Sequence, residues 1–452
     1  MTSHPMSSPS HATSLGSNCI ARIGMVLDQP FPPDARVERE AIALIEAGFE
    51  VHILCVLRPE DDVREFIHKG IHIHRVIPEA VDFRFPFTRI GTRLPYKGLI
   101  KNVFRHYWNI DTVWHTLIRR FAVRFNLDAL HVHDLRLLST ALSVGQKHDI
   151  RVISDLHENF PALMEMMKGR NNTGRGEKQR LKWDEIQARD TQLAEAVITV
   201  SDEMKDILQK QGLAAEKVTV LPNTVDIEKF LAYDVDHSLV KRFHSRFLLT
   251  YIGHVNNHHR GIQTVIEALS ILKDEIPDIF FVAAGAYRDH YMEELAAQID
   301  ALGVTGHVHF TGWLDESQFR TYIEASDICL CPHIANDQTN TGIPNKVYLY
   351  HLFNRPIIAS DFTPMKRYIE NTQGGLLYHS GDALELADAI RQLYHDAPRR
   401  KEMAERGELA VREHYNWQVT RKRLIDLYQR LFKSPFTLKQ ATEKPVLAKS
   451  ST

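Results

Sequence analysis

The sequence predicts an α/β protein built from two doubly wound domains in tandem, each a mostly parallel sheet flanked by helices. Three observations carry this. Short apolar runs alternate along the chain with stretches of helical periodicity, the pattern of repeated β-α-β units. The alternation lapses between residues 224 and 246, which turn polar without a strand pattern, and then begins again. A length of 452 residues exceeds one ordinary domain.

Composition narrows the class. The chain is 44% hydrophobic and 25% charged, as in a water-soluble globular protein. Its 55 Lys and Arg against 57 Asp and Glu leave a net charge of −2, so bulk charge argues against a nucleic-acid partner. Cys19, Cys55, Cys329 and Cys331 show neither C-x-x-C nor zinc spacing and read as free thiols of a reducing compartment. No apolar run reaches the ~18 residues of a spanning helix. Residues 1–19 are Ser-rich without the apolar core of a signal peptide. They and residues 435–452 are expected to be disordered. Together these point to the cytoplasm, with peripheral attachment to the inner face of a membrane left open.

In chain order, Ile23-Gly24-Met25-Val26-Leu27 is a buried strand, and the Pro-rich loop from Asp28 to Pro33 cannot be helical. Asp34 stands at an N-cap. Val37, Ala41, Leu44 and Ile45 keep helical spacing up to Gly48, and residues 51–56 form the next strand. No G-x-G-x-x-G marks this opening as a dinucleotide site. Residues 71–77 alternate as a strand. Residues 82–125 interleave Phe83, Phe85, Tyr96, Trp108 and Trp114 with Arg84, Lys97, Arg105, Arg119 and Arg120, among others. Such a stretch suits an anionic bilayer or a lipid-linked acceptor, or is an amphipathic helix pair with a solvated basic face.

Two later strands end in polar residues: His131-Val132-His133-Asp134 and Asp155-Leu156-His157-Glu158. Ligands of open α/β sheets gather at carboxyl ends of strands, so His133, Asp134, His157 and Glu158 are candidate site residues. A metal is not expected, since there is no HExxH or third-ligand spacing. Residues 168–182, rich in Gly and Lys/Arg, read as a mobile loop. Strands follow at 196–201 and 218–223, then the boundary. Asp234-Val235-Asp236 has a D-x-D form but falls in that linker. The second series has strands at 248–253, 279–285, 308–313, 328–331 and 356–360. Between the last two, Thr341-Gly342-Ile343-Pro344-Asn345-Lys346 opens a helix. Pro344 suits a first helical turn, and free N–H groups with Lys346 would make an anion seat.

Several motifs in order resemble the GT-B-fold glycosyltransferases of the family 4 type, over roughly residues 20–434. They are Pro33-Asp34-Ala35-Arg36-Val37, the two polar strand ends, Leu221-Pro222-Asn223-Thr224-Val225-Asp226, Tyr251-Ile252-Gly253 with Arg260-Gly261, Phe310-Thr311-Gly312, Ala325-Ser326-Asp327-Ile328, and Pro344-Asn345-Lys346 with residues 356–360. The resemblance implies two facing Rossmann-like domains. Residues 20–235 would bind the acceptor and residues 236–416 the nucleotide-sugar, with a helix at 417–434 crossing back. It implies glycosyl transfer with retained configuration from a UDP- or GDP-sugar to a hydroxyl of a glycan or lipid-linked acceptor. No tightly bound cofactor and no metal would be needed.

In that frame His157, Arg260 and Lys346 would be catalytic. Gly253, His254, Gly285, Gly312, Thr341, Gly342 and Asn345 would join Arg260 and Lys346 around the donor. Asp34, Arg36, His133, Asp134 and Glu158 would serve the acceptor side. One departure stands out: the two glutamates usual on the donor segment are Thr341 and Leu349 here, and leucine cannot bind ribose hydroxyls. A catalytically impaired binding or regulatory protein, or a nucleotide-sugar epimerase on the same fold, are therefore alternatives.

Overall fold

The computed structural model describes residues 19–78, 112–169 and 173–433. The expected disordered tails, apart from Cys19, and residues 82–111 of the basic-aromatic stretch lie outside them. The described chain forms two compact units, divided after Ser154 and again before Tyr428.

The first unit holds strands β1 (Arg22–Pro30), β2 (Glu50–Val56), β3 (Glu65–His68), β4 (Ile71–Val76), β5 (Ala129–His133) and β6 (Arg151–Leu156), in the order β3-β4-β2-β1-β5-β6. β1 pairs in parallel with β2 and β5, and β2 with β4; β3 is an antiparallel edge. The apolar runs are continuous because helices cover both faces of such a sheet. Asp34 caps the helix Ala35–Glu46, accepting from Arg36 N at 3.0 Å and Val37 N at 3.1 Å. The helix Thr112–Arg124 buries Trp114, Ile118 and Phe121 and leaves Arg120 and Arg124 exposed. Trp114 is therefore core, not a membrane contact.

The second unit begins with the parallel pair β7 (Ala196–Thr199) and β8 (Val218–Val220). A six-stranded sheet follows, made of β9 (Phe247–Ile252), β10 (Ile279–Ala284), β11 (Val308–Phe310), β12 (Ile328–Cys331), β13 (Ile357–Ser360) and β14 (Gly375–Tyr378). Its order is β11-β10-β9-β12-β13-β14, every pair parallel. The order reverses between β9 and β12, where the crossovers diverge and leave a crevice at the carboxyl ends. Leu249, Tyr251, Val265, Ile266, Leu269, Phe281, Leu330 and Ile358 form the core under the helix Ile262–Leu272.

The contact division does not fall at 235/236, where the sequence changes composition. Residues 155–235 count with the second unit because they grip its loops. Asn159 Nδ2 donates to the Asp337 carbonyl at 3.2 Å, Ser201 Oγ to the Thr341 carbonyl at 2.7 Å, and Arg367 pairs with Glu203 at 2.8 Å. The helix Trp417–Lys433 supplies both units. Thr420 Oγ1 lies 2.8 Å from Thr224 Oγ1 in the second, and in the first the rings of Tyr428 and Phe432 stand 5.6 and 5.5 Å from that of Phe49.

The loop expected at 168–182 is largely helix instead: Thr173–Leu193 is continuous. Phe160 meets Trp183 edge-on at 4.8 Å and Arg180 pairs with Glu165 at 2.8 Å, so tertiary packing overrides the glycines. The D-x-D carboxylate Asp236 caps the helix His237–Arg242 through Ser238 N and Leu239 N. Among the described residues no helix is long and apolar enough to cross a membrane.

Two features carry measurable consequences. Gly261 is left-handed, φ 69°, and a methyl group there would be driven into the Pro332 carbonyl. Gly261→Ala should lower the melting temperature by about 5 °C or more. His351 is fully buried, with Nδ1 2.8 Å from Tyr368 Oη and Nε2 3.0 Å from the Gly374 carbonyl oxygen. Burial lowers its pKa to about 4. The unfolded chain takes that proton near pH 6.5, so folded-state stability falls as pH drops from about 6.5 to about 4, by up to about 3 kcal/mol. A melting-temperature series across that window should fall less steeply for His351→Gln than for the wild type.

Candidate active site

The crevice between β9 and β12 is shaped first by backbone. Gly253 ends β9 at φ 133°, and Gly285 ends β10 so close to it that a methyl group at Gly285 would meet the Gly253 carbonyl. Gly285 also bridges Gly312. Beyond Gly253 a single turn, His258–Arg260, is set by Asn257, whose Oδ1 accepts from His259 N at 3.0 Å. This turn holds Arg260 at the head of the helix Ile262–Leu272.

Arg260 Nη1 lies 3.1 Å from His333 Nε2. A guanidinium only donates, so Nε2 accepts and the imidazole carries its proton on Nδ1, 3.3 Å from Cys331 Sγ. Burial, with the charges of Lys346 and Arg260, holds His333 well below the usual histidine pKa. Cys331 is pushed up to about 11 by burial and stays a thiol.

Lys346 comes from the far side of the crevice. The residue is half-buried, and Nζ sits 3.7 Å over the centroid of the Tyr251 ring and 2.8 Å from where a Cβ on Gly253 would lie. Burial lowers its pKa well below the ordinary lysine value, and Arg260 adds to the effect. Among the described residues neither Arg260 nor Lys346 meets a carboxylate. The helix itself begins at Lys346, not at Pro344, and has seven residues. The N–H groups of Val347 and Tyr348 are already bonded to the carbonyls of Pro344 and Asn345. Two of the N–H groups expected for an anion seat at that helix start are therefore already engaged.

A cavity of about 380 Å³ opens in front of these groups, lined by His157, Glu158, Arg260, His333, Gln338, Thr341, Gly342 and Phe362, with Leu163 and Met166 as an apolar wall. His157 Nε2 lies 3.0 Å from Oδ2 of the buried Asp155, which fixes its ring. Glu158 Oε2 accepts from Gln338 Nε2 at 3.0 Å, so a residue expected on the acceptor side lines the same cavity as Arg260. Gly253, Gly285, Gly312 and Lys346 do not line it; Gly253 lies against both Lys346 Nζ and Gly285. His254 and Asn345 are exposed and do not line it; the His254 carbonyl accepts from Tyr251 Oη at 3.2 Å.

In the first unit, Arg36 Nε lies 2.9 Å from Glu40 Oε1, both buried. His131 Nδ1 lies 2.7 Å from Tyr428 Oη, and its ring stacks on that of His133 at 4.4 Å. Asp34 is occupied as a cap. Asp134, at φ 65° and ψ 162°, occupies a region that non-glycine residues rarely enter, a strain of order 1–3 kcal/mol that clusters at functional sites. Glu40, His131 and His133 bring potential metal ligands within 4.8 Å of one another. Glu40 comes from a separate element, and Arg36 already supplies it a positive charge.

The residue-by-residue reading missed His333, Asn257, His259 and Phe362. His333 had a signal: it lies at a strand's carboxyl end, as His133 and His157 do.

A parallel sheet whose ligand-type side chains gather at its switch point, preceded by a second parallel sheet, is the architecture of GT-B glycosyltransferases. Solved structures agree. Sucrose-phosphate synthase from Thermosynechococcus elongatus superimposes with a TM-score of 0.71 at 15% identity, covering 91% of this chain and 99% of its own. Anabaena HepE in complex with UDP gives 0.67 at 15% identity, over 90% and 100%. Residues 35–229 match the model of Glycosyltransferase Family 4, and residues 246–396 that of Glycosyl transferases group 1. The chain belongs to these group 1, family 4 glycosyltransferases. Among curated proteins, the phosphatidyl-myo-inositol mannosyltransferase of Mycobacterium leprae is 21% identical over 413 residues, 90% of this chain and 96% of that protein.

The uncompensated ammonium makes a prediction opposite in sign to ordinary core substitution. Lys346→Met keeps the chain length and removes the charge, so the melting temperature should hold or rise.

Proposed function

We propose that the protein transfers a glycosyl group from a UDP- or GDP-sugar to a hydroxyl of a glycan or lipid-linked acceptor, with retention and without a metal, in surface polysaccharide or glycolipid synthesis. The observation that carries the reading is the pair Arg260 and Lys346, two cations at a sheet switch point with no carboxylate beside them. A diphosphate is the partner such a pair lacks. As the glycosyl bond breaks, negative charge gathers on the departing diphosphate, and fixed cations in the crevice stabilise it. They would do there what a divalent ion does in other transferases. An arriving anion also favours the charged form of Lys346.

His157, held by Asp155, is suited to hydrogen-bond the donor sugar as its ring becomes positive. HepE in its UDP complex supports a nucleotide donor, and the mannosyltransferase relative supports an acceptor of the lipid class. Membrane contact through residues 82–125, apart from the buried Trp114, Ile118 and Phe121, would serve such an acceptor. A second reading, a binding or regulatory protein of impaired catalysis, is favoured by Leu349, which is 7% exposed within an apolar cluster and offers the ribose no acceptor.

Screening nucleotide-sugars by thermal shift and by product formation separates the two: the first reading expects stabilisation and turnover, the second at most stabilisation. In an active enzyme Arg260→Ala should lower turnover at least about tenfold. A near-wild-type rate would remove Arg260 from the donor site.

A further inference from the structure

We propose that His333 is a positioning residue: a neutral, buried acceptor that aims the Arg260 guanidinium at the donor diphosphate without cancelling its charge. The inference rests on the donor-site reading above and adds a residue to it.

Arg260 is a long, partly exposed side chain on a one-turn segment. Free to rotate, it would lose side-chain entropy on meeting an anion. Its one side-chain hydrogen bond among the described residues is to His333 Nε2. His333, by contrast, is fixed. It is 2% exposed, its carbonyl accepts from Ser360 Oγ, Nδ1 faces Cys331 Sγ at 3.3 Å, and its ring packs between Tyr251 and Phe362 at 6.1 and 6.4 Å.

The identity of the acceptor matters. An arginine is usually oriented by a carboxylate, but a carboxylate here would neutralise the guanidinium and repel a diphosphate. A protonated imidazole could not accept at all. The groups facing the ring are Arg260, Lys346 and the Cys331 thiol, and burial, helped by the two cations, keeps the imidazole neutral. Neutral histidine therefore supplies direction while leaving the full positive charge to the ligand.

A double-mutant cycle read by calorimetric titration of UDP and of GDP tests this, with thermal unfolding as the check on folding. His333→Leu should weaken binding of the preferred nucleotide about tenfold, the scale of one hydrogen bond to a charged group. His333→Gln, which keeps a neutral acceptor, should restore most of it. In an Arg260→Ala background His333→Leu should add no further loss, because there is nothing left to aim. Should the leucine variant not fold, His333→Phe keeps a ring in the aromatic pocket and carries the same cycle. If Arg260→Ala weakens binding but His333→Leu does nothing, or its loss adds fully to that of Arg260→Ala, the positioning role is overturned and the donor site stands. If Arg260→Ala has no effect, or the wild type binds neither nucleotide at millimolar concentration, the donor-site reading falls and the positioning role with it.

Discussion

An unanswered pair of positive charges governs the second unit. Arg260 and Lys346 stand at opposite sides of one crevice, and what touches them is neutral: an imidazole, a phenol ring and glycine backbone. Holding charge in such surroundings works against folding, by several kcal/mol per ion where burial is deep. The Tyr251 ring face offsets part of this for Lys346 through its quadrupole. The remainder is strain that an anion would relieve, and it accounts for a lysine whose pKa is depressed where no structural partner was provided.

The fold makes that pairing possible through topology. Because β9 has β10 on one side and β12 on the other, the segments leaving β9 and β12 diverge and cannot fill the space between them. The loop after β9 delivers Arg260, and the chain after β12 delivers His333 and then Lys346. Gly253 and Gly285 let two strand ends approach where side chains would collide. His157 and Glu158 reach the same cavity because the segment that bears them is tied to the 337–341 loop by Asn159, Gln338 and Ser201. Those hydrogen bonds join residues some 140 to 180 positions apart, so the site depends on long-range order, not on a local motif.

Much of this was legible in the chain because fully buried parallel strands announce themselves as continuous apolar runs. β12 matches its run Ile328-Cys329-Leu330-Cys331 residue for residue, and β9 is off by one. β3 left no run to read, being a half-exposed edge of alternating character. The helix Thr173–Leu193 was hidden by its glycines and charges; it is held by its neighbour Phe160–Gly169, and pairing between helices is not written in either one. Arg260 and Lys346 were found because their motifs lie in order, yet the place of Lys346 under Gly253 depends on where a seven-residue helix starts, a boundary set by two i→i−3 bonds. Glu40 joined His131 and His133 by packing alone.

Position 349 shows how a single apolar side chain shifts the weight of binding. Leu349 is not a surface accident, since it packs with Tyr350, Leu352 and Phe353 in a closed cluster. A carboxylate there would need a hydrogen-bonding partner within that cluster or a ligand to complete it. Thr341, at the other departure, is also spoken for: its hydroxyl bonds to the Gln338 carbonyl and its own carbonyl to Ser201. Both positions have been turned toward holding the loop and helix in place. In the proposed function, recognition of a nucleotide then leans on the diphosphate, where charge-assisted bonds are roughly twice as strong as neutral ones. Affinity resting on two cations is sensitive to how well each is aimed, because Leu349 offers no ribose contact to compensate for a misplaced guanidinium. That is why a fixed, uncharged residue behind Arg260 has more to do in this chain than it would where a glutamate already gripped the ribose.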